Sequence, residues 1–197
     1  MSSTSTNGIG YCFSDRAQGI ANYPHCRRAN GLIFVSGISS RRLDNTYVGV
    51  TERADGGFDL DIREQTRAVL DNIAVILARV GASLDNVIDV QVFLVDMKDY
   101  PGMNEVYNEY FDSESGPSRT TVAVHQLPNP AKLLVEIKVI ALDPSPEPAV
   151  YAPAALTAPA AASCPVASCA SVVACAGLTS LVVVGAAALA GMFWHRR

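Results

Sequence analysis

Two short segments combine residue types suited to chemistry on a small anion. Residues 116–122, Gly-Pro-Ser-Arg-Thr-Thr-Val, contain Arg119, and an arginine fork binds a carboxylate through two hydrogen bonds while staying charged at any relevant pH. Residues 134–138, Leu-Val-Glu-Ile-Lys, place Glu136 on an apolar strand, where a carboxyl group can hold or activate a water. The alternatives are a surface or interface salt bridge for Arg119 and, since an ionised buried carboxylate needs a partner, a structural ion pair for Glu136.

The overall charge and the cysteines argue against several classes of function. The 197 residues carry a formal net charge of −4, with a pI near 5.3, so no basic field would gather nucleic acid. The five cysteines are an odd number without a CxxC pair, which argues against a disulfide-stapled secreted domain and against a zinc site. The first residues lack the basic and apolar regions of a signal peptide, so we expect a reducing, cytosol-like compartment.

Hydrophobic periodicity predicts two helices. The clearer one spans 62–80, with Asp59 or Asp61 as its cap and Gly81 ending it in a left-handed conformation. The second spans about 100–111. Its side chains expected to face inward are Met103, Tyr107, Tyr110 and Phe111.

Runs of β-forming residues predict the strands around these helices. They are 32–36, about 47–51, 88–94, 119–125 and 133–142. In the 88–94 strand, Ile88, Val90, Val92 and Leu94 are expected on the drier face. The order of elements predicts an α+β fold, a mixed sheet with both helices on one face.

The chain after Asp143 has a different composition. From Pro148 to His195 no residue carries a formal charge. We predict a folded domain at 1–143, an Ala/Pro-rich linker at 144–171 and a transmembrane tail helix at 172–194, which is long enough for the roughly 20 apolar residues that a bilayer needs. The expected location is therefore a cytosol-facing, tail-anchored membrane protein. The alternative is an Ala-rich tail that lies on the domain or stays disordered.

Several motifs occur in the order found in one protein family. The matching residues are Val35-Ser-Gly37, Asn72-Ile73, Asn104, Gly116–Val122, Leu127-Pro128 and Leu134–Lys138. Over about residues 23–142 they resemble the signature of the RidA/YjgF/UK114 family. Within that family, the stretches 23–28, 36–45 and 119–128 are similar to the 2-aminomuconate deaminase branch.

This resemblance implies a chorismate-mutase-like fold, a homotrimer with a site in each cleft between neighbouring subunits, and no cofactor. The implied reaction is hydrolysis of an imine or enamine to a 2-oxo acid and ammonia, with 2-aminomuconate as the substrate of the branch. The alternatives are a general 2-aminoacrylate-type imine deaminase, a non-catalytic chaperone-like or translation-inhibiting protein, and a membrane-tethered scaffold.

The resemblance also implies roles for individual residues. Arg119 matches the family's substrate-binding arginine, and Glu136 matches the acidic residue that holds or activates the attacking water. The residues expected to contact substrate are Tyr23, Ser36, Gly37, Arg41, Asn104, Thr121 and His125. Thr121 stands where many relatives have a cysteine, which favours a water-based mechanism over a covalent one. Asn104 is nearly as well explained by a helix-packing hydrogen bond.

Other positions also have two explanations. Gly37 suits either a substrate contact or a place where a side chain would clash. Arg41 and Arg42 either hold the second carboxylate of a dicarboxylate or form a solvated loop pair. His25 and His125 either shuttle protons near neutral pH or are satisfied structural groups.

Overall fold

Nine strands and two α-helices make up residues 2–145, the part of the chain that the computed structural model describes. The strands are β1 (Ser2–Ser5), β2 (Gly8–Tyr11), β3 (Cys26–Ala29), β4 (Leu32–Val35), β5 (Val50–Glu52), β6 (Phe58–Leu60), β7 (Val87–Leu94), β8 (Ser118–Ala123) and β9 (Val135–Leu142). The helices are α1 (Ile62–Ala78) and α2 (Tyr100–Tyr110). Seven strands form one sheet in the order β1-β2-β3-β4-β9-β7-β8, and β5 pairs with β6 in a separate hairpin.

The sheet is mixed because one of its strand pairs is parallel. β7 and β8 run parallel, and the chain between them includes α2, the kind of crossover that a parallel pair requires. The other pairs in the sheet are antiparallel. As a result, β8 lies at one edge of the sheet with α2 leading into it.

One face of the sheet is buried by the helices. On β9, Val135, Ile137, Val139 and Ala141 are buried, while the residues between them are at least partly exposed, as the two-residue period of a strand requires. α1 packs on β4 and β9, and α2 packs on α1. The predicted α+β fold, a mixed sheet with two helices, is confirmed.

The long helix α1 forms as predicted. Asp61 caps it, its side chain accepting hydrogen bonds from the backbone N–H groups of Arg63 and Glu64. The helix ends at Ala78, slightly before the expected residue 80, and Gly81 follows with a φ of 80°, the left-handed conformation that glycine adopts without strain. Its inward face includes Val69, Leu70, Ile73 and Leu77, each fully buried.

Several strand predictions need correction. Ile88 is 41% exposed rather than inward, because a register shift between Val87 and Asp89 makes Val87 the buried residue. Of the strand predicted at about 47–51, only the last two residues form a strand, and they are the start of β5. Tyr110 is half-buried, and its hydroxyl donates to Asp71 Oδ1 at 2.8 Å. The short strands β1, β2, β3 and β6 were not predicted.

The predicted location as a tail-anchored membrane protein needs correction. None of the helices within residues 2–145 is long and apolar enough to cross a bilayer. The predicted span at 172–194, with its tail helix, lies outside the described residues, as does the linker beyond Ser145. The domain boundary at Asp143 stays a prediction.

A buried ion pair fastens the end of β9 to β3. Arg28 Nε lies 2.7 Å from Asp143 Oδ2, and the Asp143 side chain is fully buried. Arg28 also donates from Nη2 to the carbonyl of Val80, at 2.5 Å, just after α1. The guanidinium thus links two strands of the sheet to the end of the long helix.

Removing the charge of Asp143 is expected to destabilise the fold. In Asp143→Asn the Arg28 guanidinium stays buried without its counter-ion, and we expect the free energy of unfolding to fall by about 3 kcal/mol. Urea unfolding of the full chain at a fixed protein concentration measures this change. Asp59→Asn is the matched control, because it removes an exposed ion pair with Arg53 and is expected to cost at most about 1 kcal/mol. Equal losses in the two variants would contradict the prediction.

Candidate active site

Glu136 lies on β9 and faces away from the helices. It is in register with Phe93 of β7, whose neighbours Val92 and Leu94 are fully buried on the helix side. Residues in register share a face, so Glu136 and Phe93 are on the opposite face. Burial raises the pKa of the Glu136 carboxyl, and no counter-charge within residues 2–145 offsets that effect. The carboxyl can therefore exchange a proton closer to neutral pH than an exposed glutamate can.

Gly37 provides the room that the Glu136 carboxyl occupies. A Cβ atom at position 37 would clash with Glu136 Oε1 and lie 3.0 Å from its Cδ. The backbone beside Gly37 is held in place, because Ile38 and Ile137 exchange N–H to carbonyl hydrogen bonds of 2.8 and 3.0 Å. The steric explanation for Gly37 therefore applies, and the group that a side chain at position 37 would meet is the Glu136 carboxyl.

A cavity of about 280 Å³ opens beside Glu136, and we call it the Glu136 pocket. The predicted site residues that line it are Tyr23, Ser36, Gly37, Arg41 and Glu136. Arg16, Tyr47 and Asn129 also line it, although no motif in the sequence marked them. A shallower depression shares Tyr23, Ser36, Gly37 and Glu136 and extends to Lys138. The Glu136 pocket also reaches Asn72 and Ile76 of α1, while the shallower depression has no helix residue from within 2–145 in its lining.

One wall of the pocket is the irregular segment 12–24 between β2 and β3, which we call the strap. His25 holds it: the Phe13 N–H donates to His25 Nδ1 at 3.2 Å, which leaves Nε2 to donate to the Ala17 carbonyl at 3.1 Å. Burial lowers the pKa of His25, which favours this neutral form. Arg41 donates to the carbonyl of Gln18 in the same segment. Both ring nitrogens of His25 thus make hydrogen bonds to the strap, which agrees with the explanation of His25 as a satisfied structural group.

Arg119 lies on the helix side of the sheet, against α2. It is in register with Val90, which is fully buried. Its Cζ lies 4.4 Å from the centroid of the Tyr107 ring and 5.7 Å from that of Tyr100. Its Nη2 donates to the Tyr100 hydroxyl at 3.2 Å. These contacts with two rings of one helix fix the plane of the guanidinium.

Asn104 and Thr121 complete a group around this arginine. Asn104 is one helical turn from both tyrosines, and its side-chain hydrogen bond, followed by the charge of Arg119, lowers the pKa of Tyr100. Thr121 is two residues after Arg119, on the same strand face. We call Tyr100, Asn104, Tyr107, Arg119 and Thr121 the arginine cluster. Asn104 Oδ1, Tyr107 Oη and Thr121 Oγ1 are buried and have no hydrogen-bond partner among residues 2–145. Because buried polar atoms are normally paired, these three indicate a place for polar groups from outside the chain.

The two parts of the candidate site are on opposite faces of the same sheet. The strand registers place Arg119 with the helices and Glu136 on the other face. A single chain therefore does not bring the two predicted catalytic side chains to one small substrate. The predicted residues instead form two groups, the Glu136 pocket and the arginine cluster.

Two further predicted positions lie outside both groups. His125 is exposed in the turn after β8 and lines neither cavity. Arg42 is exposed, and its Nη1 donates to Thr46 Oγ1 at 3.4 Å, which agrees with the solvated-loop explanation. Of the two arginines, Arg41 is the one at the pocket.

Replacing Gly37 with alanine is expected to reduce activity through Glu136. The added methyl group must displace the carboxyl, and a misplacement of about 1 Å can lower kcat/KM by about tenfold to a hundredfold. Steady-state kinetics of the variant, together with its thermal melting curve, test this. In a Glu136→Gln background the same alanine should have almost no further effect, because the group it displaces has already lost its function. A full additional loss in that background would contradict the explanation.

The family model for endoribonuclease L-PSP matches residues 13–143. A RutC family protein of Pyrococcus horikoshii is 53% identical over 81 residues, 41% of this chain and 62% of that protein. The mitochondrial protein mmf2 of Schizosaccharomyces pombe is 36% identical over 122 residues, 61% of this chain and 87% of that protein. The matched part covers less than two thirds of the Pyrococcus relatives, with 61% and 62% of their lengths.

One relative carries a name that refers to a reaction, and one solved structure shares the fold. The putative reactive intermediate deaminase TdcF of Escherichia coli is 36% identical over 89 residues, 44% of this chain and 67% of that protein. The crystal structure of a putative endoribonuclease from Thermotoga maritima has a TM-score of 0.58 at 31% identity, and the match covers 69% of this chain and 98% of that one. The similarity between the two structures extends over the domain described above, including its two helices.

Proposed function

Since this chain belongs to the RidA/YjgF/UK114 family, we propose that it is a deaminase that hydrolyses 2-imino acids, or their enamine forms, to 2-oxo acids and ammonia. The observation that carries the proposal is the Glu136 carboxyl, whose pKa is raised by burial, beside an open cavity and against Gly37. Such a carboxyl group suits the proton transfers that imine hydrolysis needs. The similarity to a protein named as a reactive intermediate deaminase supports the same class of reaction.

The complete site is formed by two copies of the chain. Arg119 and Glu136 are on opposite faces of one sheet, so one substrate reaches both when the arginine cluster of one subunit meets the Glu136 pocket of a neighbour. A contact of this kind joins two different surfaces, and it closes into a ring when the rotation between neighbouring subunits is a whole fraction of a turn. The homotrimer implied by the family resemblance is such a ring, with three equivalent sites. The three unpaired polar atoms of the arginine cluster agree with a surface completed from outside the chain.

Arg119 binds and orients the substrate. Its guanidinium, fixed by the rings of Tyr100 and Tyr107, takes the carboxylate next to the imine carbon through two parallel hydrogen bonds. This pairing leaves the electrophilic carbon at the Glu136 pocket. Asn104 and Thr121 offer further polar atoms beside the arginine.

Glu136 moves the protons. As a carboxylate it accepts a proton from a water molecule, whose oxygen forms a bond to the carbon of the protonated imine while the C=N π pair moves to the nitrogen. The resulting tetrahedral intermediate carries a hydroxyl and an amino group on one carbon. Proton return from Glu136 to the nitrogen allows the C–N bond to break while the hydroxyl group gives its proton back to the Glu136 carboxylate, releasing ammonia and leaving the 2-oxo acid. An enamine first takes a proton at carbon to become the imine, and the raised pKa of Glu136 suits that donation as well.

The specific substrate proposed is 2-aminomuconate, and the runner-up is a short 2-imino acid such as the one formed from 2-aminoacrylate. The choice rests on the resemblance of residues 36–45 and 119–128 to the 2-aminomuconate branch. A dicarboxylate of this length needs a second cation, and the pocket has arginine side chains in its wall.

The name of the matching family model points to a second class, cleavage of RNA. RNA binding depends on basic surfaces and on stacking with aromatic side chains. This chain has a net charge of −4, and its candidate site is a small cavity with a carboxyl group in it. These features favour a small carboxylate over a polynucleotide.

Ammonia release from freshly generated 2-imino acids tests the proposal. The full chain is added to 2-aminomuconate, and separately to the imine that an amino-acid oxidase forms, and the rate is compared with spontaneous decay. We expect acceleration of at least one substrate, with the larger kcat/KM for 2-aminomuconate. Acceleration of the short imine alone would leave a general deaminase. No acceleration of either by a folded, assembled protein would overturn the proposal.

A further inference from the structure

We propose that Arg16, on the strap, binds the second carboxylate of a dicarboxylate substrate and thereby sets the preference of the Glu136 pocket for dianions. This inference rests on the proposed function and extends it, because neither the motifs nor the comparisons mark Arg16. It begins with the state of the two arginines that line the pocket, Arg16 and Arg41.

The guanidinium of Arg41 is already used inside the chain. Its Nη1 donates to Asn45 Oδ1 at 3.0 Å, and its Nη2 donates to the carbonyl of Gln18. Those bonds tie the strap to the loop after β4. Arg41 therefore acts as a positioning residue for the strap.

Arg16 has spare hydrogen-bonding capacity at the same pocket. Its Nε is buried and has no hydrogen-bond acceptor within residues 2–145. The nearest carboxylate oxygen, Asp15 Oδ2, is 3.8 Å away, beyond hydrogen-bond distance, and Arg79 binds that same oxygen. The Arg16 side chain as a whole is 31% exposed and lines the pocket, so a ligand there can reach the guanidinium and supply an acceptor.

The backbone of Arg16 is held in a defined position. The Arg16 N–H donates to the Phe13 carbonyl at 3.3 Å, and Gln18 Nε2 donates to the carbonyls of Phe13 and Arg16, both at 2.7 Å. His25 fastens the same turn through Phe13 and Ala17. The guanidinium is therefore presented from a built turn rather than from a loose end.

The chemistry of the pocket then fits one class of ligand. Arg119 of a neighbouring subunit takes the carboxylate next to the reacting carbon, and Glu136 stands at that carbon. A group bound by Arg16 lies at the strap wall of the same cavity, and it must be a planar anion to use the arginine fork. A conjugated dicarboxylate of about six carbons spans a cavity of this size.

Binding of two matched, unreactive probes tests this assignment without turnover. Hexa-2,4-dienedioate and hexa-2,4-dienoate share a six-carbon diene and differ in the second carboxylate. Calorimetric titration of the full, assembled chain gives the ratio of their Kd values. We expect the dianion to bind at least about tenfold more tightly, and Arg16→Gln to bring the ratio close to one.

Arg79→Gln is the matched control for the ion pair around Asp15. It removes the other arginine that contacts Asp15 and lies outside the pocket lining. If Arg16 acted only by holding Asp15 and the strap, both variants would lose the preference equally, and the proposal would be overturned. An unchanged ratio in Arg16→Gln, or no preference in the wild type, would overturn it too. Arg16→Lys, which keeps the charge without the fork, should keep a reduced preference.

The outcomes for Arg16 and for the deaminase proposal can be told apart. The ratio of the two Kd values is measured without ammonia release, so the test of Arg16 does not depend on whether the protein is a deaminase. On substrates, Arg16→Gln should raise KM for 2-aminomuconate by about tenfold or more and leave KM for a short 2-imino acid nearly unchanged. Equal effects on the two substrates would show a structural role and contradict the assignment.

Discussion

Replacing Arg119 with glutamine is expected to lower kcat/KM for 2-imino acids by about a hundredfold to a thousandfold. The reason is that the substrate carboxylate loses both charge-assisted hydrogen bonds, and a desolvated charge pair of this kind is costly to break. Steady-state ammonia release by the full chain measures the loss. The two ring contacts of Arg119 lie at the edge of the fold, so a thermal melting curve should show little change.

Two further variants test whether that loss of activity comes from the carboxylate-binding role of Arg119. Arg119→Lys keeps the charge but not the planar fork and should recover only part of the activity. Arg63→Gln removes an exposed arginine that pairs with Glu105 between the two helices, and it should leave kcat/KM unchanged. Full activity in Arg119→Gln would contradict the binding role. An equal loss in Arg63→Gln would point to a general effect of charge.

Mixing two inactive variants is expected to restore activity. Arg119→Gln and Glu136→Gln chains are each inactive alone, since every site lacks one group. In a ring where each site takes the arginine cluster from one subunit and the Glu136 pocket from its neighbour, random assembly of equal amounts makes about one site in four complete. Co-assembled chains should therefore show about a quarter of the wild-type rate.

The control for this experiment is the same mixture without subunit exchange. Preassembled variants combined under native conditions should stay inactive until they are unfolded and refolded together. If a single chain formed the whole site, no mixture would regain activity. Persistent inactivity after confirmed co-assembly would thus contradict the shared site.

Local sequence signals predicted the parts of the fold that depend on local physics. α1 follows from a clear helical period with Asp61 at its start and Gly81 after its end. The strands β1 to β3 were harder to predict from the sequence, because Gly8–Tyr11 and Cys26–Ala29 are four-residue segments whose pairing depends on distant partners. Ile88 was placed inward because strict alternation was assumed, and a bulge is not visible in the residue types.

The motifs marked residues of the candidate site, and the family resemblance implied a cleft between subunits, but neither predicted the sheet face on which each side chain lies. Motifs drew attention to Arg119 and Glu136, but their separation on two faces follows from the register of β7 with both neighbours. Arg16 had no such signal. Its importance depends on the turn that His25 fastens and on which arginine has spare donors, and both are properties of tertiary contacts.

The hydroxyl of Thr121 has a consequence for the durability of the site. Cysteine residues within 2–145 are Cys12 and Cys26, and neither lines the Glu136 pocket or belongs to the arginine cluster. Burial raises the pKa of Cys26 to about 12, which keeps it a thiol of low reactivity. Conjugated imines are electrophiles that can alkylate thiolates. Within residues 2–145, the proposed site offers such compounds threonine, carboxylate and guanidinium but no thiolate, so the proposed reaction would not be diverted into a covalent cysteine adduct.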